Sequence, residues 1–586
     1  ISAQTLIKHF NWLKENGYNV ISWQQVIDAE NGKDTLPDNA VLLSFDDGYE
    51  TMYNVVFPLL KAYNYPAVFA PVTGWLDTPA DQKIAYADKM LDRSVFATWS
   101  QVKEMEQSGL VEVASHTHNL HNGINANPSG GQLPSVIAPE YKNGKYETED
   151  AYKNRLKSDF TRSVQTLVNH IGKKPRVMVW PYGQFNDVAV QLARQAGMPH
   201  YFSLGEKIIN KVGDKHIGRL LLNAETDLNT VKNYLDGIDE SKQIQRVLHV
   251  DLDYVYDADK AQQAKNLDKL IDRIYRYGVM TVYLQAFSDP DGDGVADALY
   301  FPNKYLPVRD DIFGRIAWQL QTRAGVQVYA WMPVLAFDLR KGVKEAEYVI
   351  DSRTGKPSTK AYLRLSPYNK QNVEIIKSIY NDLSFYAKFN GILFHDDAFL
   401  TDFEGAEGNH AEGIVSPQAK QKTQDLILLT HQLTDALKPY FLRGSYSLKT
   451  ARNLYASVIT NPNAEEWLAQ NLKTLTENYD TTAIMAMPYM ENEQPISQEE
   501  AYQWFASLIE NVKAQAPLDK VLFEFQAVNW RTQKPIPESE LIDWMKLLQK
   551  NHIYSYGYYP DNFLTNQPDL NKMKPYFSVN TNVGKP

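Results

Sequence analysis

The sequence predicts an α/β protein of two consecutive domains, the second of them a (β/α)8 barrel. Three observations carry that expectation. The chain has 586 residues, 44% of them hydrophobic, and a single core stops growing at roughly 250 to 300 residues. Up to about residue 235, short apolar runs alternate with segments of helical spacing. Beyond it, eight strand-like runs recur in order, most of them separated by helical patterns.

Taken in order, Ser2 to Tyr18 reads as an amphipathic segment. Ala40 to Phe45, Ala67 to Val72, Leu110 to Ala114 and Arg176 to Trp180 read as buried strands, being short apolar runs with helical patterns between them. His118 to Glu149 is rich in Asn, Gly, Pro and Ser and reads as a long surface loop forming an active-site rim. The polar stretch Asp236 to Gln245 marks the domain boundary. The barrel strands are then expected at Val247 to Leu252, Met280 to Ala286, Val326 to Pro333 and Gly391 to His395. Lys449 to Tyr455, Ala483 to Pro488, Val521 to Gln526 and Tyr554 to Tyr559 complete the set. Helical spacing covers Asp268 to Tyr277, Asp310 to Arg323, Lys370 to Lys388 and Glu500 to Lys513. The DPDGDG run, Asp289 to Gly294, resembles a calcium loop in its oxygen spacing. Without the distal Glu of an EF-hand it reads as a tight turn. These boundaries give domains at 1–240 and 246–575, with a tail at 576–586.

Charge and composition exclude several classes. A net charge of −10 and a pI near 5.7 argue against nucleic acid, which favours a basic face. There is no cysteine, so disulfides and thiolate metal sites are excluded and any metal must use His and carboxylate. No apolar run approaches the 18 or so residues of a membrane helix. The chain opens at Ile1 without Met, and a segment upstream is expected to have been removed. Thirty-six Tyr and 11 Trp supply flat amphipathic rings that suit sugar faces or simply fill cores.

Two strand ends in the first half bring metal-type residues together. The run Val41 to Phe45 leads into Asp46-Asp47-Gly48, by itself an ordinary turn signal. Val111 to Ala114 leads into Ser115-His116-Thr117-His118-Asn119-Leu120-His121, and histidines at a strand end beside carboxylates suit a His2Asp site with open coordination positions. His118 is a candidate third ligand or a plain loop histidine. A third strand ends in Pro181-Tyr182-Gly183.

In this order the three motifs resemble the polysaccharide deacetylase family, carbohydrate esterase family four, with its FDDG, H-[ST]-x(3,4)-H and R-x-P-Y signatures. The resemblance implies a distorted (β/α) barrel for the first domain and one divalent metal ion (Zn, Ni, Co or Fe). It implies Asp46 as general base, with Asp47, His116 and His121 as metal ligands and the Tyr182 backbone N–H as oxyanion donor. Two departures stand out. Val179 occupies the place of the family's Arg, leaving Trp180 beside Pro181, so the base must be oriented in another way. Leu221-Leu222-Asn223 lies where the L-x-H motif of the general acid is sought.

Further segments, among them YAWMPVL, GILFHDDAFLTDFE and GYYPDNFL, resemble the two-domain periplasmic N-deacetylases of poly-β-1,6-N-acetyl-D-glucosamine, from Ile1 to about Gln567. That resemblance implies removal of N-acetyl groups for biofilm exopolysaccharide export. It places the protein in the periplasm, as an outer-membrane lipoprotein in full-length form, with an outer-membrane export porin as partner. It also places the general acid on a histidine upstream of Ile1, so that this chain alone should turn over poorly. In the second domain, the fourth strand ends at His395-Asp396-Asp397, with Asp402 and Glu404 behind. Carboxylates at a barrel strand end suit glycosidic cleavage, which needs a proton donor and an anion, or a purely binding or structural cluster. Asp396 and Asp397 are the candidate catalytic pair. Asp251, Asp253, Asp396, Asp397 and Asp402 would form an acidic groove for a partly deacetylated polymer. Trp180, Asp253, Tyr362, Asp402, Trp530 and Tyr558 are the candidate substrate contacts, with Trp331 and Tyr559 as further rings. The alternatives are a polymer-binding export chaperone and an endo-glycosidase with little deacetylase activity.

Overall fold

The computed structural model describes the chain except residues 206–208, 225, 238–243, 359–361, 406–414, 445–446 and 581–586. Most of the predicted connector, 238–243, and the end of the predicted tail therefore lie outside the described residues. The chain divides into two compact units, Ile1–Lys242 with Leu442–Ser447, and Gln243–Phe441 with Leu448–Pro586.

The first unit is built on six parallel strands in chain order: β1 (Leu43–Asp47), β2 (Ala67–Pro71), β3 (Val111–Val113), β4 (Val177–Val179), β5 (His200–Leu204) and β6 (His216–Arg219). They form two three-stranded sheets, linked by a parallel bridge between Ser115 and Met178. The first four match the predicted strands in position. The last two were not anticipated, because their polar residues, His200, Ser203, His216 and Arg219, interrupt the apolar run on which strand reading depends. The central strands β2 and β4 are buried throughout, as parallel strands covered on both faces must be.

Helix Glu149–Ile171 packs alongside with Tyr152, Leu156, Phe160 and Leu167 buried, a spacing that lines one helical face. Thr148 caps its N-terminus by accepting from Ala151 N–H, and Gly172 ends it in the left-handed region. The predicted rim, 118–149, contains two short hairpins, Gly123–Asn125 with Gln132–Pro134 and Tyr141–Lys142 with Lys145–Tyr146. Arg155 of the long helix ties it down through Glu147 and the carbonyls of Ser135 and Ala138.

The second unit is a closed barrel of eight parallel strands. They are β7 (Arg246–Val250), β8 (Thr281–Gln285), β9 (Gln327–Met332), β10 (Gly391–Phe394), β11 (Lys449–Tyr455), β12 (Thr481–Ala486), β13 (Val521–Gln526) and β14 (Tyr556–Tyr559). Each falls within two residues of its predicted bounds. Closure comes from β14 pairing with β7, Arg246 opposite Tyr556 and Leu248 opposite Tyr558. At that seam a Cβ on Gly557 would sit 2.5 Å from the Val247 carbonyl. The predicted helices are present, the first extended to Lys260–Tyr277 with Leu267, Leu270, Ile271 and Ile274 buried. Each such side chain contributes about 1.5–3 kcal/mol by burial. Helix Leu570–Phe577 runs past the predicted barrel end at 575 and buries Phe577. The DPDGDG run is a turn, with the Asp289 carboxylate accepting from the N–H groups of Asp293 and Gly294.

Candidate active sites

In the first unit β1 carries Asp46 and Asp47 to its C-terminal end, paired with Ala70 and Pro71 of β2. The chain then turns through left-handed φ at Asp47 and Gly48, +74° and +100°. A Cβ at Gly48 would meet Leu76 and Pro71 at 3.0 Å, so only glycine fits this turn. Just beyond β3, His116 and His121 point at the same place: their Nε2 atoms lie 3.3 and 3.2 Å from Asp47 Oδ1. With metal–ligand bonds of about 2.1 Å, neighbouring donor atoms around one ion stand about 3.0–3.4 Å apart. These three residues, grouped closely enough to share one ion, therefore fit one divalent metal in both donor chemistry and spacing.

The surroundings orient those ligands. His116 Nδ1 donates to the Val179 carbonyl at 2.7 Å, which leaves Nε2 free to coordinate. The Tyr86 hydroxyl donates to Asp47 Oδ2 at 2.8 Å. Burial alone would raise Asp47, but its imidazole neighbours His116 and His121 outweigh it and hold the carboxyl well below its usual range. His118 is not a third ligand. It is buried and hydrogen-bonded through Nδ1 to Thr73 Oγ1 at 2.9 Å. Asp159 accepts from the His118 and Asn119 N–H groups and holds the histidine loop; burial pushes its carboxyl up to about 6.

Asp46 is gripped by Arg219 at the end of β6, which donates to both carboxylate oxygens at 2.8 and 2.9 Å. Burial favours the neutral acid, but the guanidinium wins and lowers Asp46 below the ordinary carboxylate value. Arg219 thus fixes the orientation of the Asp46 carboxylate, which Val179 cannot do. Sequence reading missed it, since Arg219 is 173 residues away from Asp46 and its strand was not predicted; a cation closing a short strand was the available signal. Tyr182 adopts φ +57° after β4 and is 43% exposed, with its ring 4.5 Å from that of His121. Trp180, predicted as a sugar contact, is fully buried against Phe160 and Phe185. It is a core residue, because an apolar ring on a central strand end is drawn into the packed layer. Leu221 is exposed and Asn223 is bonded to Thr226.

In the barrel, Asp396 follows β10 and receives the hydroxyls of Tyr362, at 2.9 Å, and Tyr455, at 2.8 Å. His395 Nε2 lies 2.9 Å from its Oδ1. Burial would raise Asp396, but His395 and the two hydroxyls bring it below its usual value. The predicted catalytic pair separates here. Asp397 is fully buried and accepts from the backbone N–H groups of Val334, Leu335 and Ala336. It is a structural carboxylate that pins the segment after β9. Glu491 comes instead to the neighbourhood of Asp396, accepting from the Ala456 and Ser457 N–H groups. Burial pushes it up to about 7. Neither Glu491 nor Tyr455 was singled out beforehand; Tyr455 closes a predicted strand, the position where function concentrates in this fold.

Two further expectations change. Asp253 is engaged by Arg309, Tyr300 and Gln285, which makes it an anchor of the mouth. Tyr558 is fully buried and donates to Asp561 at 2.6 Å. Tyr362, Asp402 and Trp530 are half-buried, and the Trp530 ring lies 6.1 Å from that of Tyr559 at 31°.

Comparison with known proteins agrees with both units. Residues 33–201 match the polysaccharide deacetylase family model and residues 249–559 match the hypothetical glycosyl hydrolase family 13 model. The chain is 40% identical to the poly-beta-1,6-N-acetyl-D-glucosamine N-deacetylase of Escherichia coli (strain K12), over 99% of this chain and 89% of that one. It is 26% identical to the enzyme of the same name from Staphylococcus aureus (strain MSSA476), over 41% of this chain and 73% of the other. The solved PgaB (BpsB) glycoside hydrolase domain from Bordetella bronchiseptica is 39% identical, with a TM-score of 0.53, covering 58% of this chain and all of that domain. The chain therefore belongs to the poly-β-1,6-N-acetyl-D-glucosamine N-deacetylase family, with a polysaccharide deacetylase domain followed by a glycosyl hydrolase-like barrel.

Proposed function

We propose that this chain removes N-acetyl groups from poly-β-1,6-N-acetyl-D-glucosamine at the Asp46–Asp47–His116–His121 centre. The observation that carries the reading is the division of labour between adjacent aspartates: Asp47 Oδ1 faces two histidine nitrogens while Asp46 is held by Arg219. Asp47, His116 and His121 would hold one divalent ion, Zn, Ni, Co or Fe, which when bound supplies Lewis-acid polarisation of an amide carbonyl and makes a water more acidic. Asp46, kept ionised by Arg219, takes the proton from that water as its oxygen attacks the carbonyl carbon. The Tyr182 N–H donates to the oxygen on which charge develops. As the C–N bond breaks, the proton taken up at Asp46 passes to the departing nitrogen, and acetate and the free amine are released. The domains act as units at 1–240 and from 246 through the helix Leu570–Phe577. Periplasmic residence, outer-membrane attachment and delivery of polymer to an export porin belong to the same proposal and rest on family membership. No helix among the described residues is long and apolar enough to cross a membrane.

A second reading concerns the barrel. Asp396 receives two tyrosine hydroxyls at the C-terminal end of β10 and is lowered, while Glu491, held by the Ala456 and Ser457 N–H groups, is raised to about 7; glycosidic cleavage needs such an anion and such a proton donor. On this reading the barrel binds the partly deacetylated polymer through Tyr362, Asp402 and Trp530 and cleaves it.

Acetate release from a short β-1,6-N-acetylglucosamine oligomer tests the first reading. It should require metal and disappear in Asp46→Asn; release that survives both chelation and that substitution would reject it. Mass spectrometry of a partly deacetylated polymer tests the second. Chain shortening that persists in both Asp396→Asn and Glu491→Gln would reject the proposed pair.

A further inference from the structure

The two histidines that face Asp47 are separated by a strained turn. Thr117, directly after His116, adopts φ +72°, in the left-handed region that a β-branched side chain enters only at a cost. His116 precedes this pivot and His121 follows it. The sign of that one angle therefore decides whether their Nε2 atoms converge on Asp47 Oδ1, as they do at 3.3 and 3.2 Å. Thr117 is fully buried, so protein groups have to hold the turn.

A carboxylate closes it from a distant helix. Asp159, in the middle of helix Glu149–Ile171, accepts from the His118 N–H at 2.8 Å with one oxygen and from the Asn119 N–H at 2.7 Å with the other. The neutral contacts of the turn are longer: the Thr73 N–H reaches the Thr117 carbonyl at 3.1 Å, the Gly74 N–H reaches that of His118 at 2.9 Å, and the Leu120 N–H reaches Thr117 Oγ1 at 3.2 Å. Bonds to an ionised group are about twice as strong as neutral ones, so Asp159 is the main clasp. One turn further along the same helix, Ser163 meets Ser115 at 2.7 Å, so one helical face grips both sides of His116. Neither Asp159 bond involves a ligand side chain; it acts through the backbone. Aspartate in a helix interior goes against helix propensity, and this contact is what its place in the helix provides.

We propose that Asp159 is a positioning residue for metal capture: its two backbone bonds hold Thr117 left-handed and so aim His116 and His121 at the ion's place before the ion arrives. Ligands that are already aimed lose little freedom on binding, whereas a turn that has relaxed must be re-formed, which weakens affinity. The device has a specific signature, an energetic coupling between Asp159 and Thr117. In Thr117→Gly a positive φ carries no steric penalty, and the clasp has less to hold. The inference rests on the reading of Asp47, His116 and His121 as a metal centre.

Titration of the metal-stripped full chain with cobalt(II), followed by visible absorption, tests it. Asp159→Asn keeps the shape but replaces one acceptor oxygen with an amide donor, and should bind cobalt about tenfold or more weakly than wild type. In a Thr117→Gly background the same substitution should weaken binding by about threefold or less. Unchanged affinity in Asp159→Asn, an equal loss in both backgrounds, or a wild type that takes up no cobalt would overturn the proposal. Amide hydrogen exchange on the metal-free wild type needs no variant: the N–H groups of His118 and Asn119 should already be protected, and protection that appears only once cobalt is added would also overturn it. Acetate release assayed on the same samples reads the proposed function separately: its absence in the cobalt-loaded wild type would reject N-deacetylation without touching the clasp.

Discussion

The guanidinium of Arg219 holds both oxygens of Asp46, at 2.8 and 2.9 Å, and so fixes the carboxylate that is proposed as the base. A bidentate fork fixes the carboxylate plane as well as its charge. Arg219→Lys keeps the charge and loses the fork; Arg219→Ala loses both. In an assay where the chain releases acetate, kcat should fall about 10²-fold in Arg219→Ala and less in Arg219→Lys, with KM nearly unchanged, since general-base efficiency follows positioning. An equal rise in KM with kcat intact would show that Arg219 binds substrate instead.

Tyr86 reaches Asp47 Oδ2 from a hairpin, Lys83–Tyr86 with Lys89–Asp92, and keeps Oδ1 turned to the histidines. Losing such an outer contact typically costs 10–100-fold in metal affinity. Tyr86→Phe should therefore bind Zn or Co about tenfold or more weakly by titration. Chelation of the wild type should abolish acetate release, and added metal should restore it. An unchanged metal affinity in the variant would remove Tyr86 from the account.

Asp397 and Asp396 should part company in unfolding experiments. Asp397→Ala leaves the buried N–H groups of Val334, Leu335 and Ala336 without their acceptor, at about 1–3 kcal/mol for each unsatisfied group. Denaturant unfolding of the barrel should show a loss of several kcal/mol. Asp396→Asn, which can still accept from Tyr362 and Tyr455, should lose far less. Equal losses would contradict the division into one structural and one chemical carboxylate.

Lys388 is buried and donates to the carbonyls of Ser384, Phe385 and Tyr440, just beyond helix Lys370–Tyr386. Burial pushes it down to about 7 from its usual 10.5. The fold therefore favours the neutral amine. Between pH 7 and 10.5 the unfolded chain binds the additional proton, so stability rises with pH across that window by up to about 1.4 kcal/mol per unit; below pH 7 the penalty is fully present. Lys388→Met should flatten this slope in urea unfolding followed at pH 7, 8 and 9. A slope equal to that of the wild type would refute it.

The barrel strands could be read from the amino-acid order alone, and the resemblance of the strand-end motifs pointed to Asp47, His116 and His121, which the fold brings together. Most barrel strands are rich in apolar residues because both faces are covered, and Asp47, His116 and His121 sit at strand ends where a parallel architecture gathers its chemistry. What the tertiary structure decided is which partner each polar group finds. Asp46 meets Arg219 across 173 residues, Tyr86 reaches Asp47 from a hairpin, and Asp396 and Asp397, adjacent in sequence, end with opposite surroundings. Trp180 and Tyr558 look like sugar platforms as letters and are core as side chains. The physical reason is range: burial periodicity is local and survives in the order of residues. Hydrogen bonding, desolvation and charge pairing act through space, between strands whose meeting only the folded chain determines.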